Sequence, residues 1–372
     1  MKLAIVHDWL TGFGGAERCL IEFANLWPDA PIYTSVYDVK RFKDIIPPRR
    51  VRTSFLQNFP NSTMNYRSLL PLMPMAFRSF DLKGFDVILS SSHCCAKGIR
   101  RPKSAVHISF IYTPMRYVWE LYTIYRDSMS GVKRFMFESM APSLRKWDIA
   151  TSRSVDYFIP ISREVDRRIQ SIYGRKGAAV IYPPVDVKKL LYDGPKGDHF
   201  LIAHRFVPYK RVDIAIKAFT DIGLPLKVLG IGPDEQKLRR IAGKNIEFIG
   251  FVPDDKLAEI YGSSRALIFT SYEDFGLTPI ESMAAGTPVI AYGRGGALET
   301  VIDGRTGIFF RDQTSASVID AVKRFEKFSF SRDDLINRAW EFDVSIFRKQ
   351  IKEFVENAAP GSAGVPPADA RI

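Results

Sequence analysis

Short apolar runs that alternate with amphipathic stretches give the chain its outline. Lys2-Leu-Ala-Ile-Val-His7 reads as a buried strand, and Thr11-Gly-Phe-Gly-Gly15 then opens a helix. That helix carries Leu20, Phe23, Ala24 and Trp27 on one side, and Pro28-Asp29 ends it. Phe85–Leu89 and Val106–Ile111 are further strands, followed by Ser90-Ser-Ser-His93 and by Tyr112-Thr-Pro-Met-Arg116. A basic, aromatic helical region (Lys133, Arg134, Phe135, Phe137, Arg145, Lys146, Trp147) and a helix from Arg163 to about Tyr173 lead to the break at Pro183-Pro184. Beyond about residue 198 the alternation is regular. Strands are expected at 199–204, 226–230, 246–250, 265–270 and 288–292, and helices at about 211–221, 234–242, 254–262, 278–285 and 315–327. Fully apolar strands alternating with helices predict doubly wound parallel sheets.

Two such domains are expected. The first covers 1–186, with a Gly/Pro-bearing linker at 187–198 and a second domain at 199–342. A C-terminal helix at 343–358 should pack back toward the first domain, and a tail at 359–372 lacks periodicity and is expected to be disordered. No apolar run approaches the roughly 18 residues of a membrane span. The first residues read as a strand and not as a signal peptide. Three cysteines, Cys94 and Cys95 adjacent, offer neither a disulfide framework nor zinc spacing, so a reducing cytoplasm fits.

Charge separates the halves. The chain carries +12, and residues 1–186 hold 27 Lys/Arg against 16 Asp/Glu while 187–372 hold 26 against 25. Nucleic acid, an anionic membrane or a merely soluble surface would each suit the basic half. No repeat or recognition spacing supports nucleic acid. The apolar stretch Tyr66–Arg78, punctuated by prolines and arginines, suits either a lipid headgroup layer or packing under a loop.

Candidate chemistry gathers at strand ends, where open α/β sheets bind ligands. Glu273 and Glu281 bracket a turn between the strand at 265–270 and a helix start, with Phe275-Gly276-Leu277 between them. Such a junction gathers free N–H groups and the positive end of a helix dipole. Arg205 and Lys210 leave another strand end and would suit phosphate oxygens. Gly14 and Gly15 form a second phosphate-friendly turn, although Glu17 stands where the dinucleotide fingerprint needs its last glycine. His93 and His107 read either as satisfied buried histidines or as site residues, and no metal-ligand spacing links them.

Glu273, seven residues and Glu281 form a pattern that resembles the retaining glycosyltransferases of family four. Gly14-Gly15, Pro183-Pro184-Val-Asp186, Arg205…Lys210, Gly230-Ile-Gly232, Phe248–Phe251 and Gly295-Gly296 occur with it in the same order. The resemblance covers nearly everything up to about residue 356. It implies the GT-B fold: two Rossmann-like doubly wound domains facing across a cleft. It further implies that Glu273, Arg205 and Lys210 serve catalysis, Arg205 and Lys210 by neutralising the leaving diphosphate. Gly14, Gly15, Phe251, Phe275, Gly276, Leu277 and Glu281 would bind the donor, Glu281 through the ribose and 250–252 along the base. Tyr112, Arg116 and His93 would position acceptor or sugar; Tyr112 stands where related sequences commonly have His. No Asp-x-Asp pair occurs, so no metal or other cofactor is expected. Tyr112–Trp119 and Glu273–Glu281 look most like GDP-mannose-dependent mannosyltransferases of surface-polysaccharide assembly. The expected partners are a nucleotide sugar and a glycan or polyprenyl-linked acceptor, at an anionic inner membrane face and without nucleic acid. UDP-hexose as donor, a sugar-nucleotide epimerase, a phosphorylase and a non-catalytic binding module are the alternatives.

Overall fold

A computed structural model describes residues 1–362; of the expected disordered tail, 363–372 lie outside the described residues. Its chain divides into two units, Met1–Pro183 together with the chain from Phe347 onward, and Pro184–Ile346.

In the first unit six strands form one parallel sheet: β1 (Leu3–His7), β2 (Ile32–Thr34), β3 (Val51–Thr53), β4 (Val87–Ser92), β5 (Val106–Ile111) and β6 (Tyr157–Pro160). Their order is β3-β2-β1-β4-β5-β6. β2 and β3 have no counterpart in the sequence reading, because three residues are too few to display a period. Helices α1 (Gly15–Leu26), α2 (Tyr122–Asp127), α3 (Gly131–Ser152) and α4 (Arg163–Tyr173) flank the sheet. α4 shows why such segments stay helical. Ser162 Oγ caps the Val165 N–H at 3.0 Å, Glu164 and Asp166 sit in the first turn, and Gly174 ends the helix at φ +66°.

The second unit repeats the scheme with β7 (Phe200–Ala203), β8 (Leu226–Leu229), β9 (Ile246–Gly250), β10 (Leu267–Phe269), β11 (Val289–Tyr292) and β12 (Gly307–Phe310). The order is β12-β11-β10-β7-β8-β9, again parallel throughout. Its main helices are α5 (Val212–Ile222), α6 (Leu277–Ala284) and α7 (Ser315–Phe325). Phe200, Ile202, Val228 and Ile268 of the strands pack with Ile216, Phe219 and Val322 of the helices into one core. The two parallel, helix-flanked sheets are those expected of the GT-B fold.

α8 (Val344–Ala358) carries the chain back to the first unit. Its stripe Phe347, Ile351, Val355 and Ala358 is buried, Phe347 stacks on Phe23 at 5.7 Å, and Arg348 pairs with Glu22. The stretch 66–78 turns largely inward. Met73, Ala76 and Phe77 are fully buried and Leu69, Leu70 and Leu72 pack on the same core, leaving Met75 outside. Its two prolines yield a short 3₁₀ turn and a six-residue helix where no long helix was expected.

Each sheet has one switch point. In the first, the chain builds outward from β1 to β3 and returns to place β4 beside β1; in the second, β10 returns beside β7. Loops from adjacent strands diverge there, which opens a crevice at the carboxyl ends.

Candidate active site

At the switch point of the second unit, β7 ends in His204-Arg205 and β10 in Thr270-Ser271. The ladder between β7 and β8 continues past both strands, with Phe206 N–H donating to the Ile231 carbonyl at 3.0 Å. A Cβ on Gly230 or Gly232 would overlap the backbone of His204 or Phe206, which explains the Gly-x-Gly there. Lys210 lies in a tight turn whose carbonyl accepts from Thr270 Oγ1 at 2.8 Å, and Arg211 takes a left-handed φ of +52° to leave it. The turn aims Lys210 at Glu273, and the two side chains form a largely buried ion pair. Ser271 Oγ donates to the same Glu273 oxygen at 2.8 Å, and His204 Nε2 lies 3.3 Å from that hydroxyl.

The sequence reading gave Lys210 and Glu273 separate duties; folding places them in one chain of contacts with Ser271 and His204. Arg205 projects into solvent and makes no ion pair or side-chain hydrogen bond with any described residue. A guanidinium left free beside a compensated ammonium is a natural anion receptor.

The Glu273–Leu277 turn is braced from behind. Gly296 N–H donates to the Glu273 carbonyl at 2.9 Å, and any Cβ on Gly296 would overlap the Phe275 backbone. Gly276 adopts φ +89° with the Phe269 ring below it. Phe275 is buried, 5.7 Å from the Phe342 ring, so only its backbone faces the turn. The start of α6 has no side-chain cap, leaving N–H groups at Leu277 and Thr278 for a ligand. Glu281 lies buried inside α6 and accepts from Tyr261 OH at 2.9 Å. Phe251 follows β9 and is 75% exposed, beside the Gly230 loop that bonds to the Gly250 carbonyl at 2.9 Å.

In the first unit the switch point is built on Asp8. Its carboxylate is fully buried and accepts four backbone N–H groups, from His93 (2.7 Å), Cys94 (2.9 Å), Cys95 (2.6 Å) and Ala96 (2.7 Å). Four donors satisfy the buried carboxylate and fix the turn after β4. His93 Nδ1 lies 3.1 Å from Asp8 Oδ2, and Trp9 packs edge-on against the ring at 4.6 Å. Burial lowers the His93 pKa below its usual value, Asp8 opposes this, and the Arg116 cation reinforces it. Arg116 and Tyr112 are thus neighbours of His93, the latter with ring centroids 6.1 Å apart.

Tyr112 does less than a free phenol could. It is buried, donates to the Ala16 carbonyl at 3.0 Å and shares a hydrogen bond with Ser91 Oγ at 2.9 Å, which in turn meets His7 Nδ1 at 2.9 Å. Burial raises its pKa well above 10, so it holds the first turn of α1 in place and moves no proton. Gly14 precedes that turn in extended conformation without a side-chain cap. Glu17, buried in the turn, has a carboxylate oxygen 3.7 Å from His7 Nε2. Its negative charge at the helix start weighs against the phosphate site expected at Gly14-Gly15.

His7, Asp8, Ser91, Tyr261 and Ser271 are the site neighbours that sequence reading passed over, and Glu17 was noted only as the break in the glycine fingerprint. The only signal for the first three was position, at or just beyond the carboxyl ends of strands. Among the described residues, no group of three or more His, Cys, Asp or Glu side chains could hold a metal ion.

His107 is structural: fully buried inside β5, with Nε2 bonded to Ser90 Oγ at 2.9 Å. Burial pushes its pKa down to about 3, and burial with the nearby Lys210 cation does the same to His204. Both fold neutral while the unfolded chain would protonate them near 6.5. The native state therefore binds fewer protons, and stability is lost as pH falls from about 6.5 toward 3, by about 1.4 kcal/mol per pH unit for each histidine. Melting temperatures should fall between pH 7 and 5, and His107→Gln should flatten that slope. Identical slopes for both proteins would remove His107 as a source.

Residues 193–342 match the family described as glycosyl transferases group 1. An uncharacterized glycosyltransferase of Methanocaldococcus jannaschii is 35% identical over 164 residues, 43% of this chain and 46% of that protein. Glycogen synthase of Pseudomonas paraeruginosa is 29% identical over 191 residues, 46% and 37% of the two chains. The chain thus spans less than half the length of these curated relatives. Among solved structures, Anabaena HepE in complex with UDP-glucose superposes with a TM-score of 0.70 over 95% of this chain and 99% of that one, at 18% identity. The likeness extends over both units and is one of fold.

Proposed function

We propose, from the match of residues 193–342 to the group 1 glycosyl transferases, that this chain is a retaining hexosyltransferase that moves a sugar from a nucleoside diphosphate onto a glycan or lipid-linked acceptor. The observation that carries the reading is the Lys210–Glu273 pair with free Arg205 beside it, at the switch point between β7 and β10. A nucleotide diphosphate leaving a sugar gathers negative charge, and fixed cations and N–H groups stabilise that charge without reorganisation.

In this reading Arg205 takes the diphosphate through its forked donors, and Lys210 turns from Glu273 toward the phosphate when the donor binds. Glu273, relieved of part of its ion pair, then accepts hydrogen bonds from the sugar hydroxyls. The N–H groups at Phe275, Gly276 and Leu277 face the same anion, while Glu281, oriented by Tyr261, holds the ribose. The 250–252 backbone borders the base, and the exposed Phe251 ring offers it a stacking face. In the first unit, His93 and Arg116 position sugar or acceptor, and Gly14 and Gly15 contribute backbone donors in spite of Glu17.

The donor is GDP-mannose, on the strength of the Tyr112–Trp119 and Glu273–Glu281 motifs, and the setting is surface-polysaccharide synthesis in the cytoplasm, peripheral to the inner membrane face. A UDP-hexose is the second reading, favoured by the UDP-glucose bound to the HepE structure. Calorimetry with GDP-mannose, UDP-glucose and other nucleotide sugars decides between them; tighter binding of a UDP-sugar would overturn the mannose assignment. Arg205→Ala should lower kcat/KM for the donor by about 10²-fold, as loss of one charge-assisted contact to a leaving group does. Its melting temperature should not change, because the side chain has no intramolecular partner. An unchanged kcat/KM would remove Arg205 from the site.

A further inference from the structure

α3 has two apolar stripes where a surface helix needs one. Phe137, Ala141, Leu144 and Asp148 face inward and are buried. At the amino-terminal end a second stripe points the other way: Val132, Phe135 and Met136 are 75%, 70% and 60% exposed, at the i, i+3, i+4 spacing of one helix face. All six residues from Gly131 to Met136 are exposed, and Ile124 of α2 adds a further exposed apolar side chain. Residues 122–146 carry five Lys/Arg against two Asp/Glu. Lys133 lies within the exposed turn, and Arg134, paired with Glu138 at 3.0 Å, borders it. A helix end that shows aliphatic and aromatic side chains to solvent beside the Lys133 and Arg134 cations matches the interface of an anionic bilayer: apolar groups enter the acyl boundary and cations stay among the headgroups.

We propose that the α2–α3 hairpin tip, through Val132, Phe135 and Met136, docks the first unit on an anionic lipid surface. The segment follows β5, so it starts from the same sheet edge as His93 and Tyr112, and a lipid-borne acceptor would be offered on the side where those residues stand. That last step rests on the transferase reading; the docking does not. No described helix is long and apolar enough to cross a membrane.

The test is co-sedimentation of the full chain with vesicles of phosphatidylcholine containing about one-third phosphatidylglycerol, without donor or acceptor. Binding is expected at low salt, weakened at about 0.5 M salt and absent with phosphatidylcholine alone. The triple variant Val132→Ser, Phe135→Ser, Met136→Ser should lose about tenfold or more in vesicle affinity. Met64→Ser with Met75→Ser, at two other exposed methionines, should bind as the parent does. Donor-sugar hydrolysis in vesicle-free solution, read on the same samples, should match between parent and triple variant. Its absence from both would sink the transferase reading and leave the docking result standing. Phe135→Trp gives a readout that does not depend on the triple variant folding: its fluorescence should shift to the blue on binding and be quenched by brominated lipid. Unquenched fluorescence, unchanged binding by the triple variant, or a dimer in lipid-free solution that the triple substitution dissociates would each overturn the proposal.

Discussion

Replacing Glu273 by alanine should slow sugar transfer by about 10²–10³-fold, the range lost when one preorganised electrostatic group leaves a polar reaction centre. Donor affinity should change far less. The carboxylate is held by Ser271 and Lys210, and its own backbone carbonyl by Gly296, so it meets the reacting sugar without having to be ordered first. Glu273→Gln keeps the size and a hydrogen-bonding oxygen but unpairs Lys210. Donor binding should then be equal or tighter, because the phosphate no longer competes for the ammonium, while turnover stays low. Combined with Lys210→Ala, the effects should be far from additive, as expected of groups in direct contact. Initial rates with the donor and calorimetric dissociation constants test this together, and a Glu273→Ala protein with parental turnover would remove Glu273 from the chemistry.

The largest effect on stability should come from Asp148→Ala in the first unit. Asp148 is fully buried in α3, its Oδ1 2.6 Å from Lys97 Nζ, while Oδ2 accepts from Trp119 Nε1 and Tyr173 OH, each at 2.8 Å. Lys97 also donates to the Asp148 carbonyl and to Thr151 Oγ1, both at 3.2 Å. Removing the carboxylate leaves a buried ammonium and two buried donors without their acceptor, at a cost of about 3–5 kcal/mol. Denaturant unfolding should show the loss. Replacing both partners, Lys97→Met with Asp148→Leu, should cost much less, since neither charge is then stranded. Equal losses for the single and double variants would mean that the ion pair itself, and not the stranded charge, carries the stability.

Much of the second unit was legible. Its strands are largely apolar runs of three to five residues and its main helices are amphipathic, so most elements announce themselves over a window shorter than a dozen residues; β12 (Gly307–Phe310), which was not read, is the exception among the strands. Gly295-Gly296 and Gly230-Ile-Gly232 could be picked out as motif pieces, but their reason is a contact made elsewhere in the chain: the backbones of Phe275 and of His204–Phe206 leave no room for a Cβ. The first unit was harder. β2 and β3 are three residues each, and the segment 66–78 reads as surface or core equally well until its neighbours are known. Tyr112 looked like a positioning group because a hydroxyl after a strand end is open to ligand by default. Only Ser91 and Ala16, 21 and 96 residues away, show that it is already engaged.

By itself the sequence determined the alternation of buried strands and flanking helices, the division into a basic and a neutral half, and the residues able to meet an anion or a sugar. Each depends on local spacing, side-chain chemistry or a charge count. Tertiary structure decided which of those residues meet. The order β3-β2-β1-β4 places Asp8 against the N–H groups of residues 85 to 88 positions later, and β10 beside β7 brings Glu273 to Lys210 across 63 positions. Strand adjacency is set by hydrogen bonds between distant segments and by the packing of whole sheet faces, and nothing in a short window of sequence records it. The outward apolar stripe on α3 belongs with these. Val132, Phe135 and Met136 become exposed only because Phe137, Ala141 and Leu144 have taken the inward face.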